Sequence, residues 1–435
     1  MNQEQIARTF NYLADKLVQF SQEKGRRSWL VFLFILAMTL VVITPFPGHS
    51  YFQSQIKSEQ ACLTNTSKEL RGVWLTNIDS DVLFAPETTS DAIARLGEAN
   101  FNTLYPTVWN WGYTLYPSPI SERVTGLALD PTPGLQNRDL LQEIVTAGHD
   151  QGMSVIPWFE FGFMAPADSE LAKRHPEWLT ARQDGSTIWW EGKVHQRVWL
   201  NPLRPEVQDF MTDLLVEIVS NYDIDGIQLD DHFGYPSELG YDDYTVQLYQ
   251  TEHNGQSPPE DPQDSEWVQW RADKITDYVE TLFHELKSHN PKAIISVSPN
   301  PQHFSLNSFL LDWYRWERKG LIEELIVQIY RDGNDSFIKE LEQPELIAAK
   351  NHIPVGIGVL SGLKGRPILW HKIYKQVKLA RQHQFAGVSF FFYESLWNLA
   401  TESPQRRQSA LKNLFYLEAQ RPNVADCQQE SALES

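Results

Sequence analysis

From Leu70 onward short apolar runs alternate with longer stretches in which apolar residues return every three or four positions. The short runs are rich in β-branched and aromatic residues, and eight can be counted: Arg71–Thr76, Thr103–Trp109, Ser154–Phe161, Gly226–Phe233, Ala293–Asn300, Leu325–Arg331, Val355–Ser361 and Gly387–Ser395. Between them the helical period predicts helices with start signals: Ser90 before Asp91–Asn100, Pro205 before Glu206–Tyr222, and Pro367 before Ile368–Gln384. Buried strands alternating with helices imply a parallel sheet. The first strand is followed by no glycine-rich phosphate turn, which speaks against a doubly wound sheet. The expected fold is therefore α/β, a (β/α)8 TIM barrel spanning residues 70–417.

A different pattern precedes the barrel. Trp29 to Ile43 is apolar except for Thr39, and the run continues to Phe46. That is about 18 residues, enough to cross a bilayer at the lower limit. Lys24, Arg26 and Arg27 stand directly before it and would hold the N-terminus in the cytoplasm. A cleaved leader and a permanent anchor both have such a run; the long charged lead and the lack of a small-x-small site favour the anchor. The expected organisation is a cytoplasmic segment 1–28, one N-terminal transmembrane helix 29–46, a linker 47–69, the barrel, and a polar tail 418–435. The expected location is the bacterial cell envelope, single-pass, with the catalytic domain outside the cytoplasm. The two cysteines, Cys62 and Cys427, flank the barrel, and a disulfide between them is expected in an oxidising compartment.

The net charge of -19 excludes a phosphate-backbone partner, since no basic stripe offsets it. Aromatic residues are abundant, with 15 Trp, 16 Tyr and 22 Phe, and flat rings stack on the C–H faces of sugars. Many of them must still fill the core. Two long loops follow the third and fourth strands. Residues 162–204 carry Trp178, Trp189, Trp190 and Trp199, whereas 234–264 is polar. The tryptophan-bearing loop is expected to form one wall of a glycan groove, with Trp109 and Trp111 nearby.

Acidic residues mark the strand ends. Asp225-Gly-Ile-Gln-Leu-Asp230-Asp231-His232-Phe233 closes the fourth strand with two acids and a histidine, Glu160 closes the third, and Glu394 the eighth. Asn77 and Asp79 follow the first. Buried charge costs desolvation free energy unless it is paired or used, and carboxylates converging on one barrel rim suit glycoside hydrolysis. That reaction needs one protonated carboxyl to serve the leaving oxygen and one ionised carboxylate to attack the anomeric carbon or activate water. Glu160 sits among Trp158, Phe159 and Phe161, an apolar setting that suits the proton donor. Asp230 or Asp231 supplies the ionised group, because adjacent strand residues face opposite ways and one alone points inward.

The chain resembles the bacterial glycosyl-hydrolase-like family 10 in Arg71-Gly-Val-Trp-Leu-Thr-Asn-Ile-Asp79, in Trp199-Leu-Asn-Pro202 with Pro205-Glu-Val, and in Asp225-Gly-Ile-Gln-Leu-Asp230. The resemblance runs from about Leu70 to Phe415. It implies a (β/α)8 barrel with glycosidase chemistry and bacterial cell-wall glycan as the leading substrate class, and it places the strand-three carboxylate on Glu160 and the strand-four acid on Asp230. Substrate contacts are then expected from Asn77, Asp79, Trp109, Trp111, Trp158, Trp189, Trp190, His232, Tyr330 and Glu394. No cofactor is expected, and the partners are a polysaccharide substrate and the membrane. Two other readings stand beside this one. A metal-dependent polysaccharide deacetylase would use Asp230-Asp231-His232 as ligands, although no His-x-x-x-His occurs among the 12 histidines. A non-catalytic carbohydrate-binding barrel would need only the tryptophans.

Overall fold

The computed structural model describes residues 68–423. The apolar run 29–46, Cys62 and Cys427 lie outside the described residues. Within them, no helix is long and apolar enough to cross a membrane.

All eight expected runs are strands, each close to its expected place: β1 (Leu70–Leu75), β2 (Thr103–Pro106), β3 in two pieces (Ser154–Val155 and Trp158–Phe159), β4 (Gly226–Asp230), β5 (Ile294–Ser298), β6 (Glu324–Gln328), β7 (Val355–Leu360) and β8 (Gly387–Phe391). Every pairing among them is parallel. The sheet is curled so far that its two ends are the two halves of β3: the first half pairs with β2, the second with β4. Pro157 lies between the halves and has no N–H to donate, so the ladder is broken there. Its carbonyl still accepts from the Gln228 amide at 2.8 Å.

The helical expectations need adjustment at their starts. The first helix is Pro86–Gly97 rather than one capped by Ser90, because Pro86 takes the first turn and the chain is already helical there. Pro205–Asn221 begins at its proline as expected, whereas Trp370–Gln382 starts three residues past Pro367, which is held in a small hairpin. The outer core lies between strands and helices, while Leu70, Trp74, Tyr105, Ile156, Trp158 and Ile326 form a separate cluster inside the curl.

The expected polar tail begins too early. The Glu69 amide donates to the Gln420 carbonyl at 2.9 Å, and Arg421 is drawn in to pair with Glu324, which is 1% exposed at the start of β6. Tyr105 and Ser296 donate to the other Glu324 oxygen at 2.9 and 2.8 Å. A buried carboxylate needs such partners, so residues up to Arg421 pack onto the curled sheet at the start of β6.

Candidate active site

Glu160 lies just past β3 and is 5% exposed. Its Oε2 accepts from Thr76 Oγ1 at 2.8 Å, Thr107 Oγ1 at 2.9 Å and Asn110 Nδ2 at 3.0 Å. Among the described residues its Oε1 has no hydrogen-bond partner, so a proton on this carboxyl belongs on Oε1. Burial pushes the Glu160 pKa up to about 7 against the pull of the two threonines, with His232 also lowering it and Glu191 raising it. Burial therefore outweighs the hydrogen bonds, and the acid is poised near neutrality.

Asp230 ends β4 and is 2% exposed. Ser298 Oγ and Gln328 Nε2 donate to Oδ1 at 2.8 and 2.9 Å, and His232 Nδ1 lies 2.8 Å from Oδ2. Burial first, and then the Asp231 charge, raise the Asp230 pKa well above the ordinary range despite His232. Asp231 opens the short helical turn after β4; its Oδ2 accepts from Asn300, and its Oδ1 lies 3.2 Å from His232 Nδ1. Burial opposes a charge on His232, but Asp231 and Asp230 together lift its pKa to about 10. His232 Nδ1 is also 2.8 Å from the Glu160 carbonyl, which can only accept, so this nitrogen carries hydrogen. That contact ties the acid loop to the Asp230 loop. Gly162 permits the approach: at φ +49° it brings its backbone so near the His232 carbonyl that a Cβ would lie 2.4 Å away.

Glu160, Asp230, Asp231 and His232 line one cavity of about 240 Å³, with Asp79, Glu191, Gln328 and Phe391 among its other walls. Of the expected contacts, Asp79 stands exposed at this cavity with its carboxylate 3.0 Å from Lys364. Tyr330 is stacked on Phe391 at 5.7 Å, and its hydroxyl pKa is raised by burial and by Asp230, Asp231 and Glu160. Asn77 is buried and accepts from Asn110 at 2.7 Å, which holds the amide that in turn serves Glu160.

Other expected contacts sit elsewhere. Trp109 is fully buried and donates to the Gly162 carbonyl at 2.8 Å, and Trp111 packs against the core. Trp158, 2% exposed, belongs to the inner cluster. Glu394 lies in the helix Tyr393–Trp397 rather than at a strand end; β8 stops at Phe391, and the Glu394 carboxylate accepts from Ser80 at 3.1 Å outside the cavity lining. Trp189 and Trp190 cannot share one wall, because neighbours on a strand face opposite ways. Trp189 packs toward Trp199, whose ring is 5.7 Å from His232, whereas Trp190 is 51% exposed.

Glu191 was not among the expected site residues. It lies on the strand Trp189–Glu191 of a three-stranded antiparallel sheet within the long loop after β3. Its carboxylate accepts from Arg197 Nε at 2.8 Å. The antiparallel pairing of Trp189–Glu191 with His195–Trp199 places it at the cavity, and no local motif announces that pairing. The motif residues, by contrast, act visibly: Thr76 holds Glu160, Trp74 donates to Gln228 at 2.7 Å, and Asn201 donates to Asp242 at 3.0 Å, pinning the loop after β4.

Acids converging at the C-terminal ends of parallel strands around one small cavity are the arrangement that a two-carboxylate hydrolase requires. Residues 69–377 match the family described as Glycosyl hydrolase-like 10, and the chain belongs to that family; it is a glycoside hydrolase. It is similar to the glycosyl hydrolase DigH of Escherichia coli strain K12, at 26% identity over 68% of this chain and 74% of that protein. Glycosyl hydrolase YngK of Bacillus subtilis is 25% identical over 54% of this chain, a match spanning 45% of that relative. Among solved structures, the catalytic domain of a Paenibacillus polymyxa beta-amylase has a TM-score of 0.55 at 12% identity, covering 80% of this chain and 98% of that one. The PgaB (BpsB) glycoside hydrolase domain of Bordetella bronchiseptica gives 0.52 at 11%, covering 75% and 94%. These two likenesses concern the fold, a curled parallel α/β sheet of the TIM-barrel glycosidase kind.

Proposed function

We propose that the enzyme is a closed (β/α)8 barrel that cleaves O-glycosidic bonds in peptidoglycan glycan strands, with Glu160 as proton donor and Asp230 as its ionised partner. The observation that carries this is the pairing, in one cavity, of a carboxyl held near neutrality with a free Oε1 and a second carboxylate oriented by three donors. Glu160 gives its proton to the leaving oxygen as the bond to the anomeric carbon breaks. Asp230 either attacks that carbon, to be displaced by water, or takes a proton from the attacking water; the anomer of the product distinguishes the two. Burial and the Asp231 charge favour a proton on Asp230, so the ionised form this role needs rests on protonated His232, whose Nδ1 lies 2.8 Å from Oδ2; Asp231 stands beside it as the alternate carboxylate. The positive flank of residues 29–46 supports a barrel tethered outside the cytoplasm, where such a glycan lies.

A second reading has one observation in its favour: ligand atoms of Asp230, Asp231 and His232 lie within 4.8 Å of one another, as a deacetylase metal would need. In this arrangement the Nδ1 lone pair of His232 is not free, since that nitrogen donates toward the Glu160 carbonyl. Incubating the exported part with denuded and with peptide-bearing peptidoglycan, and weighing the products, tests the proposal. Shorter glycans support it; released acetate with intact chains overturns it.

A further inference from the structure

A second cavity, of about 350 Å³, opens on the other face of the antiparallel sheet, lined by Asp168, Trp190, Val194, His195, Gln196 and Arg197 among others. Its size falls at the small end of ligand sites, about 300 to 1,000 Å³. Trp190 and Val194 are 51% and 70% exposed there, which leaves part of the indole open to a ligand. Apart from Pro166 and Ala167, the rest of the lining is polar, with a carboxylate, an imidazole, an amide and a guanidinium. An apolar ring bordered by hydrogen-bonding groups fits a sugar, whose C–H face is apolar and whose edge carries hydroxyls.

The two cavities meet at one ion pair. Arg197 lines the outer cavity, and Glu191, which it holds at 2.7 Å through Nη2, lines the catalytic one. The Arg197 guanidinium also lies 5.0 Å over the Phe161 ring, next in sequence to Glu160. A linear chain leaving the catalytic cavity past Glu191 therefore reaches Trp190 by crossing a single pair of side chains.

Resting on the glycosidase reading above, we propose that the outer cavity is a distal saccharide subsite, in which Trp190 stacks on a sugar ring remote from the bond being cut, and that the Glu191–Arg197 pair is the sill between the two. The occupant is the substrate's own glycan chain. The subsite adds contacts that only a long chain makes, so it lowers KM for polymers without touching the chemical step.

Full-length wild type, Trp190→Ala and Trp190→Phe are compared on a β-1,4-linked N-acetylglucosamine disaccharide and hexasaccharide and on denuded peptidoglycan glycan. Binding of the hexasaccharide is measured in parallel by calorimetry. Trp190→Ala is expected to raise KM and Kd for the long chains by about 3- to 10-fold, the worth of one stacking contact, with kcat and disaccharide turnover unchanged. Trp190→Phe should recover most of the loss. Equal effects on all chain lengths, or none on any, overturn the subsite, as does a wild type that neither binds nor cleaves these glycans. Weakened hexasaccharide binding by Trp190→Ala in a protein that cleaves nothing would keep the subsite and sink the catalytic reading.

Discussion

Replacing Glu160 with Gln should lower turnover and raise stability together. The carboxyl is 5% exposed, and its pKa is pushed from 4.5 to about 7, chiefly by burial. Because the folded value lies above the unfolded one, the native protein holds a proton that the unfolded chain has released. Stability is therefore fully present below pH 4.5 and is lost as pH rises toward 7. The gap corresponds to about 3 kcal/mol at most. Gln keeps an oxygen for Thr76, Thr107 and Asn110 and puts its NH2 where Oε1 faces the cavity, but it carries no charge to bury. Urea unfolding at pH 8 should show the variant more stable than wild type by up to about 3 kcal/mol, with the difference shrinking toward pH 4. Over the same series, kcat should fall on the order of 10³-fold, and wild-type activity should decline as pH rises through about 7, where the donor loses its proton. A variant that is no more stable at pH 8 would refute the desolvation argument, and one with near wild-type turnover would refute the acid assignment.

Removing Arg421 as Arg421→Met should strand the buried Glu324 carboxylate and cost about 3 kcal/mol in urea unfolding at neutral pH; an unchanged midpoint would show that this packing does not depend on the pair. A Cys62–Cys427 disulfide, proposed from the two cysteines that flank the barrel in sequence, lies outside the described residues. Thiol titration of protein isolated without reductant should then find none free, and two free thiols would count against the link. Reporter fusions after Ser50 should behave as exported, and a cytoplasmic signal there would reject the proposed topology.

How much of this was legible in the sequence depended on the range of the interaction. The eight strands could be read because each is a local run of buried β-branched and aromatic residues, and Glu160, Asp230 and Asp231 because acids at such run ends are out of place unless used. Strand ends were less legible: β8 stops at Phe391, and Glu394 falls in the helix Tyr393–Trp397 that follows, outside the cavity lining. Tryptophans that suggested a sugar platform divide by burial, which composition does not carry; Trp109 and Trp158 fill the interior, while Trp190 stays in water. Glu191 reaches the cavity only through an antiparallel pairing inside a long loop, and Arg421 reaches Glu324 from 97 residues away. Contacts between segments so far apart leave no periodic trace.

The most direct test is the appearance of new reducing ends in denuded glycan strands, followed for wild type, Asp230→Asn and Asp231→Asn with and without a chelator. The account predicts steady release by wild type that the chelator leaves unchanged, and a loss on the order of 10³-fold in Asp230→Asn. Undiminished release by Asp230→Asn, or activity that vanishes with the chelator, would contradict it.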